Sequence, residues 1–153
     1  MGQPPPVRIR RNATASGKVW LGSLPQKEAL AIVRRRGLRR LAPKTITSER
    51  RLMAELRAAR RHGYAVVNEE LAEGGGAVAA PIVHDGRVVG TVAVSGPTFR
   101  LSGSKLHRLA PRVQRTAQQL AAIWPVQVSA RDFGLGVEPG NGLGVELSTQ
   151  RRT

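Results

Sequence analysis

The chain has 153 residues, which is enough for one domain built around a single hydrophobic core. It contains no cysteine, which excludes disulfides and thiolate chemistry, and no run of about 18 apolar residues that could span a membrane. The first residues carry charges but no apolar signal region, so we expect a cytoplasmic protein with no membrane partner.

The formal net charge is +15, and the positive residues are concentrated early in the chain. Of the 25 basic residues, four are lysines and 21 are arginines, and residues 1–62 hold 16 of them against three glutamates. Arginine pairs well with phosphate, so this balance is compatible with a nucleic-acid partner. We favour the alternative, an Arg- and Ala-rich composition that accompanies G+C-rich coding DNA. Aromatic residues make up only 3%, which counts against binding of single strands by base stacking.

The apolar periodicity predicts three helices in the first half of the chain. The expected helices run from Thr14 or Ala15 to Leu24, over residues 26–36 and over residues 49–62. Pro25 should stop the first helix, Gly37 suits the C-terminal cap of the second, and Gly63 should end the third.

A small antiparallel sheet and a last helix are predicted in the second half. The expected strands cover residues 64–67, 77–83 and 87–95, with a loop over residues 68–76 between the first two. The last two strands flank residues 84–86, a short connection with glycine where a positive φ is needed, and should form a hairpin. A helix capped by Ser102 or Ser104 should extend to Trp124, with a kink or a restart at Pro111.

This order of elements is typical of an α+β fold, in which helices pack against an antiparallel sheet. Residues 1–11 are expected to be an irregular lead, with at most one extended segment over residues 7–11. Turn residues dominate residues 126–153 and no apolar period is sustained there, so a disordered tail is expected. The predicted domain covers residues 12–125.

The stretch NATASGKVWL, residues 12–21, resembles a phosphate-binding loop followed by a helix. A Walker loop needs glycine at the position of Asn12 and Ser or Thr at the position of Val19. The sequence therefore does not support nucleotide hydrolysis. The free N–H groups of a helix start, here from about Ala15 to Gly17, can still bind a carboxylate. From the motif alone we prefer a simpler interpretation, in which Thr14 caps the helix and Gly17 allows close packing.

Spacing reveals no catalytic constellation. The adjacent carboxylates Glu69 and Glu70 should point apart in a solvated loop rather than face each other across a substrate. His62, His84 and His107 lack the spacing of metal ligands and are interpreted as three isolated surface histidines. No serine lies in a nucleophile elbow. The chain is therefore predicted not to be an enzyme, and neither a cofactor nor a metal is expected.

Arginine clusters occur at residues 34–36, 39–40 and 50–51. They could form a phosphate-binding surface or the solvated faces of two amphipathic helices. Because no helix-turn-helix pattern with a polar recognition helix adjoins them, we prefer the solvated faces. Direct binding of nucleic acid through residues 34–61 stays as the alternative function.

Four stretches, taken in order, carry a resemblance to one family. They are NATASGKVWLGSLP, LRRLAPKTITSERRLMAELRAARRHGYAVVNEE, GGGAVAAPIVHDGRVVGTVAVSGPTFRLS and LHRLAPRVQRTAQQLAAIW. From about Arg11 to Trp124 the chain resembles the C-terminal effector-binding domain of IclR-type (isocitrate lyase regulator) bacterial transcription factors. The resemblance implies a GAF/profilin-like sensor fold that binds a small organic ligand, often a carboxylate, and that biases a DNA-binding head.

The resemblance also implies which residues line the ligand pocket. These are Thr14, Ala15, Ser16, Val67, Asn68, Ala77, Ala93 and Ser95. It favours the amides near Ala15 and Ser16 as the contact for the acidic end of the ligand. Four positions depart from the family pattern. Asn12 replaces a histidine, Val67 replaces an acidic residue, Ala77 replaces a cysteine and Ala93 replaces a serine. These changes predict a larger or more apolar ligand than a short keto acid, or a pocket no longer used.

Complete family members carry a winged helix-turn-helix and the first strands of the sensor domain before this stretch, so the resemblance implies an N-terminally truncated domain. Three explanations stay open: a truncated or mis-started gene product, a stand-alone sensor that pairs with a full-length relative, or a sensor whose sheet edge is rebuilt with residues 7–11. An exposed apolar sheet edge favours self-association. DNA is expected to be only an indirect partner.

Overall fold

A computed structural model describes residues 12–124 of the chain. Its seven elements are α1 (Ala15–Ser23), α2 (Gln26–Arg36), α3 (Glu49–His62), β1 (Ala65–Asn68), β2 (Gly75–His84), β3 (Arg87–Pro97) and α4 (Gly103–Ala122). The predicted lead over residues 1–11 and the predicted tail over residues 126–153 lie outside the described residues. The α+β class is as predicted, and α2 and α3 have the predicted bounds.

The hairpin is longer than its sequence pattern indicated. β2 begins at Gly75 and β3 ends at Pro97, and these two residues face each other in the register. The glycine-rich loop is shorter than expected because Gly74 alone takes up the turn, at φ 74°, while the next two glycines adopt strand geometry. The amide of Thr98 closes this end of the hairpin by donating to the Gly74 carbonyl at 2.8 Å.

The predicted restart at Pro111 does not occur, because α4 is one continuous helix from Gly103 to Ala122. A proline inside a helix removes one N–H donor. Here the prolyl ring stands on the exposed side, so the carbonyl that loses its partner faces solvent. The buried side is continuous across the proline and holds both halves against the sheet; it consists of Leu106, Ala110, Val113 and Ala117. No helix within residues 12–124 has the length and apolarity needed to cross a membrane.

The three strands form an antiparallel sheet in the order β1-β2-β3, with helices on both faces. Because side chains alternate along a strand, β2 sends Val78, Ala80 and Ile82 toward α4. It sends Ala77 and Ala79 toward α1. One face of the sheet therefore carries larger aliphatic groups, and the other carries mostly alanine.

The first three helices form a second core beside the sheet, made of Leu21, Ala29, Val33, Ile46, Leu52, Met53 and Leu56. α3 begins at the Ser48 cap, whose hydroxyl accepts a hydrogen bond from the Arg51 amide at 3.3 Å. It ends at Gly63 in the left-handed conformation. α1 crosses α3 so closely at Gly22 that a Cβ on that residue would lie 2.9 Å from the Leu56 carbonyl oxygen.

The close crossing predicts that Gly22→Ala destabilises the fold. The added methyl group would meet a backbone atom that cannot rotate away, so we expect the free energy of unfolding to fall by about 1–3 kcal/mol. This outweighs the gain of up to about 1 kcal/mol that alanine brings to a helix. Urea unfolding measures the change.

Gly103→Ala is the matched control, because a Cβ there would make an ordinary 3.5 Å contact with Asn68 Nδ2. Its unfolding midpoint should stay unchanged or rise slightly. Equal stability of the wild type and Gly22→Ala would contradict the close crossing of α1 and α3.

Candidate functional site

The start of α1 has two backbone amides that lack a hydrogen-bond partner among residues 12–124. Thr14 is the N-cap, and its Oγ1 accepts a hydrogen bond from the Gly17 amide at 3.1 Å, while its carbonyl accepts from the Lys18 amide at 3.0 Å. The cap predicted from the sequence is thus present. No residue within 12–124 accepts a hydrogen bond from the amides of Ala15 and Ser16. Of the three amides predicted to be available, two are free and the third is used by the cap.

The sheet brings four of the predicted pocket residues together beneath α1. In the register, Val67 faces Ala77, which in turn faces Ser95. The next row along consists of Ala65, Ala79 and Ala93. Ala15 packs into this cluster with Val67, Ala77 and Ala93, and Ser95 lies at its exposed margin. The helix start predicted to bind a carboxylate therefore lies on a face of small side chains, called here the alanine face.

Asn68 does not lie on the alanine face. It follows Val67, so its side chain points to the opposite side of the sheet, where Nδ2 is 3.5 Å from the position of a Cβ on Gly103. The family resemblance implied that Asn68 lines the pocket together with Val67. The alternation of a β-strand separates the two residues.

Two polar groups near this site were not among the predicted pocket residues. Thr91 is 4% exposed, and its hydroxyl has no hydrogen-bond partner. It lies two residues from Ala93 and therefore on the same face, a position that the period of two in β3 could have revealed. Asn12 Nδ2 is also buried without a partner in the described part of the chain. Buried polar groups are nearly always paired, so both atoms are able to bind a water molecule or a ligand.

A buried ion pair connects α1 to the loop after β1. Lys18 is 1% exposed, and its ammonium lies 2.8 Å from Glu70 Oε1 and 3.5 Å from Glu55 Oε2. Burial raises the pKa of the Glu70 carboxyl, and the attraction to Lys18 offsets this only in part. The prediction that Glu70 belongs to a solvated loop is wrong. The pair joins residues 52 positions apart, which no local pattern indicates.

The loop after β1 is also tied to the loop between α2 and α3. The Thr45 hydroxyl donates to the Glu70 carbonyl at 2.6 Å and accepts from the Ala42 amide at 2.8 Å. Glu69 adopts a positive φ of 58° and pairs with Lys44, whose hydrogen bond lowers the pKa of the Glu69 carboxyl. These contacts hold residues 69–70 in place from two sides.

The remaining charged and aromatic groups carry no site of their own. The arginines of residues 34–36, 39–40 and 50–51 are exposed, which is compatible both with solvated helix faces and with a phosphate-binding surface. Two histidines are not isolated, since the rings of His62 and His107 lie 5.9 and 5.8 Å from Tyr64. The Tyr64 hydroxyl is 3.1 Å from His107 Nδ1. Residues 12–124 contain no group of three or more His, Asp or Glu side chains that could hold a metal ion.

The raised pKa of Glu70 predicts how stability depends on pH. At a pH between the ordinary glutamate pKa of 4.5 and the raised pKa of folded Glu70, the folded chain keeps the carboxyl proton that the unfolded chain has lost. The contribution of Glu70 to the free energy of unfolding should therefore increase as the pH falls through the folded pKa, and be complete below 4.5. Lys18, Glu55 and Arg51 are the charged groups that act on it.

We expect the wild type to gain stability relative to Glu70→Gln as the pH is lowered from neutral toward 4.5. Other carboxylates, including Glu49 and Glu69, titrate in both proteins and cancel in the difference. Urea unfolding of both proteins over a pH series provides the measurement. A difference that is constant with pH, or that grows as the pH rises, would contradict the assignment.

The family model described as the bacterial transcriptional regulator IclR C-terminal domain matches residues 7–122. The HTH-type transcriptional repressor AllR of Salmonella paratyphi A is 34% identical over 115 residues, which cover 74% of this chain and 42% of AllR. The chain thus spans less than half the length of the curated relatives it matches.

Two solved structures share the fold. The inducer-binding domain of PobR from Acinetobacter, a double mutant in complex with 3-hydroxybenzoic acid, is 30% identical with a TM-score of 0.69, covering 72% of this chain and 65% of that chain. The C-terminal domain of Escherichia coli KdgR is 31% identical with a TM-score of 0.66, covering 73% and 69%. These relatives are named as transcriptional regulators, which is consistent with the prediction that the chain is not an enzyme. The chain therefore belongs to the family of bacterial transcriptional regulators defined by the IclR C-terminal domain.

Proposed function

We propose that residues 12–124 form a small-molecule sensing domain of an IclR-family transcriptional regulator. In this proposal an organic acid binds with its carboxylate at the amides of Ala15 and Ser16 and with its body on the alanine face. The observation that carries the proposal is the packing of the α1 start against Val67, Ala77 and Ala93.

The start of α1 has the chemistry of an anion site. Two free N–H groups point away from the first turn, and the helix dipole adds a partial positive charge there. The first turn contains no acidic side chain that would compete for these amides. The Thr14 cap uses the third amide and fixes the direction of the helix start. A carboxylate is a suitable ligand group for this arrangement.

The alanine face favours a ligand with an apolar body. Val67, Ala77 and Ala93 present only aliphatic side chains, and Ser95 supplies one hydroxyl at the margin. A short keto acid would leave most of this surface without contact. An aromatic acid fits the combination better, and the PobR domain was solved in complex with such a compound, 3-hydroxybenzoic acid.

We further propose that this domain acts on transcription indirectly. AllR and its relatives are named as HTH-type repressors and are longer than this chain, so the DNA-binding role belongs to them as whole proteins. The partner that connects this domain to DNA is either a covalently joined segment or a full-length relative that pairs with it. The protein is proposed to be cytoplasmic, where such a partner would be.

Binding of an aromatic acid is tested by thermal unfolding of the full chain with 3-hydroxybenzoate. A ligand that binds only the folded state stabilises it by about 2.7 kcal/mol at 100 times its dissociation constant. We expect the midpoint to rise with 3-hydroxybenzoate concentration and to stay unchanged with pyruvate at the same concentrations. A rise with pyruvate alone would contradict the apolar-ligand proposal, and no rise with a panel of aromatic and aliphatic acids would contradict sensing.

The location of the site is tested by Ala77→Leu, which adds a larger side chain to the alanine face. We expect it to abolish the ligand-dependent rise. Ala54→Leu adds the same side chain at an exposed position of α3 and should retain the full rise. The midpoint of each variant without ligand shows that it is folded. Retention of the rise in Ala77→Leu would exclude the alanine face as the site.

A steep salt dependence of duplex DNA binding by the isolated chain would instead favour the alternative, direct binding through residues 34–61. These residues include exposed arginines without an acidic partner among residues 12–124, such as Arg57 and Arg61. The sensing proposal predicts weak DNA binding that does not respond to 3-hydroxybenzoate.

A further inference from the structure

The Lys18–Glu70 pair connects the two segments that border the proposed ligand. Lys18 lies in the first turns of α1, two residues after Ser16, whose amide is free. Glu70 lies three residues after Val67, which belongs to the alanine face. A displacement of α1 along the sheet would lengthen the 2.8 Å contact between the ammonium and Glu70 Oε1.

Leu21 and Gly22 hold the C-terminal half of α1 against α3, but apolar packing against the sheet defines the position of the N-terminal half of α1 poorly. Its buried residues on the sheet are Ala15 and Val19, and the opposing surface is mostly alanine. Contacts between methyl groups are not directional and change little when a helix slides. A hydrogen bond between charged groups is short and directional, so it specifies one position.

Both ends of Glu70 are held. Lys18 binds its carboxylate, and Thr45 donates to its carbonyl at 2.6 Å. Its second carboxylate oxygen is buried and has no hydrogen-bond partner. A buried ion pair is a poor means of gaining stability, because an apolar pair of similar volume is often as stable or more so. The burial of this pair therefore calls for another role.

We propose that Lys18 and Glu70 are positioning residues, which fix the α1 amides relative to the alanine face and thereby set the affinity for the ligand carboxylate. This proposal rests on the proposed function. It makes one claim that does not depend on any ligand, namely that the pair keeps residues 12–20 and 65–74 ordered relative to each other.

The experiment separates positioning from stability. In the double variant Lys18→Met/Glu70→Met an apolar pair replaces the ion pair, so stability should be close to that of the wild type. Hydrogen exchange of the full chain is measured by mass spectrometry without ligand and normalised to peptides from α4. We expect exchange in residues 12–20 and 65–74 to be at least about tenfold faster than in the wild type. Affinity for 3-hydroxybenzoate should fall by a similar factor.

Two further variants serve as controls. Glu70→Gln keeps an oxygen that can accept from Lys18, so its exchange in both segments should stay within about twofold of the wild type. Val113→Ala weakens the core on the opposite face of the sheet and should lower stability without a selective effect on the two segments. If the double variant proves to be less stable than the wild type, Val113→Ala shows how much faster exchange becomes through a loss of stability alone.

The positioning role would be overturned if residues 12–20 and 65–74 of the double variant exchanged at the wild-type rate. It would also be overturned if Val113→Ala accelerated exchange in these segments as much as the double variant does. Acceleration in Glu70→Gln as large as in the double variant would also overturn it, because the hydrogen bond would then not be the cause. If the wild type binds none of the acids, the sensing proposal fails, and the exchange measurement still decides whether the pair positions α1.

Discussion

The central strand β2 determines which side chains meet on each face of the sheet. It is paired on both sides from Gly76 to Ala79, so its register with β1 and β3 aligns three residues in each of these four rows. It presents Ala77 and Ala79 on the α1 side. On the α4 side it presents Val78, Ala80 and Ile82, of which Val78 and Ile82 are the larger groups and are fully buried. A shift of one residue would exchange the two faces and place the bulky groups under α1.

The small groups on the α1 side allow this helix to lie close to the sheet, and Gly22 allows it to lie equally close to α3. Close approach brings the free amides of Ala15 and Ser16 to a surface of methyl groups, which is the geometry that the sensing proposal uses. It also leaves little apolar volume between the start of α1 and the sheet. The ion pair between Lys18 and Glu70 supplies a directional contact where bulky side chains are lacking.

Much of the secondary structure could be predicted because its signals are local. α2 and α3 have the predicted bounds, since apolar spacing, the Ser48 cap and Gly63 all lie within or beside the helix they define. The hairpin turn is similar, with Asp85 and Gly86 at positive φ. Pro111 shows the limit of local rules, because packing of α4 against the sheet maintains a helix that the proline alone would interrupt.

The sequence by itself determined the family resemblance and the α+β class, because these depend on the order of residues and on periods of two and 3.6. The candidate residues on the alanine face came from what that resemblance implies. Only the tertiary structure decided that Asn68 lies on the opposite face, that Glu70 is buried, and that Lys18 is its partner. β1 extends through Asn68, which the sequence pattern assigned to a loop, so strand alternation turns this side chain away from that of Val67. The ion pair joins residues 52 positions apart, and only the packing of α1 on the loop after β1 brings their charged groups to 2.8 Å.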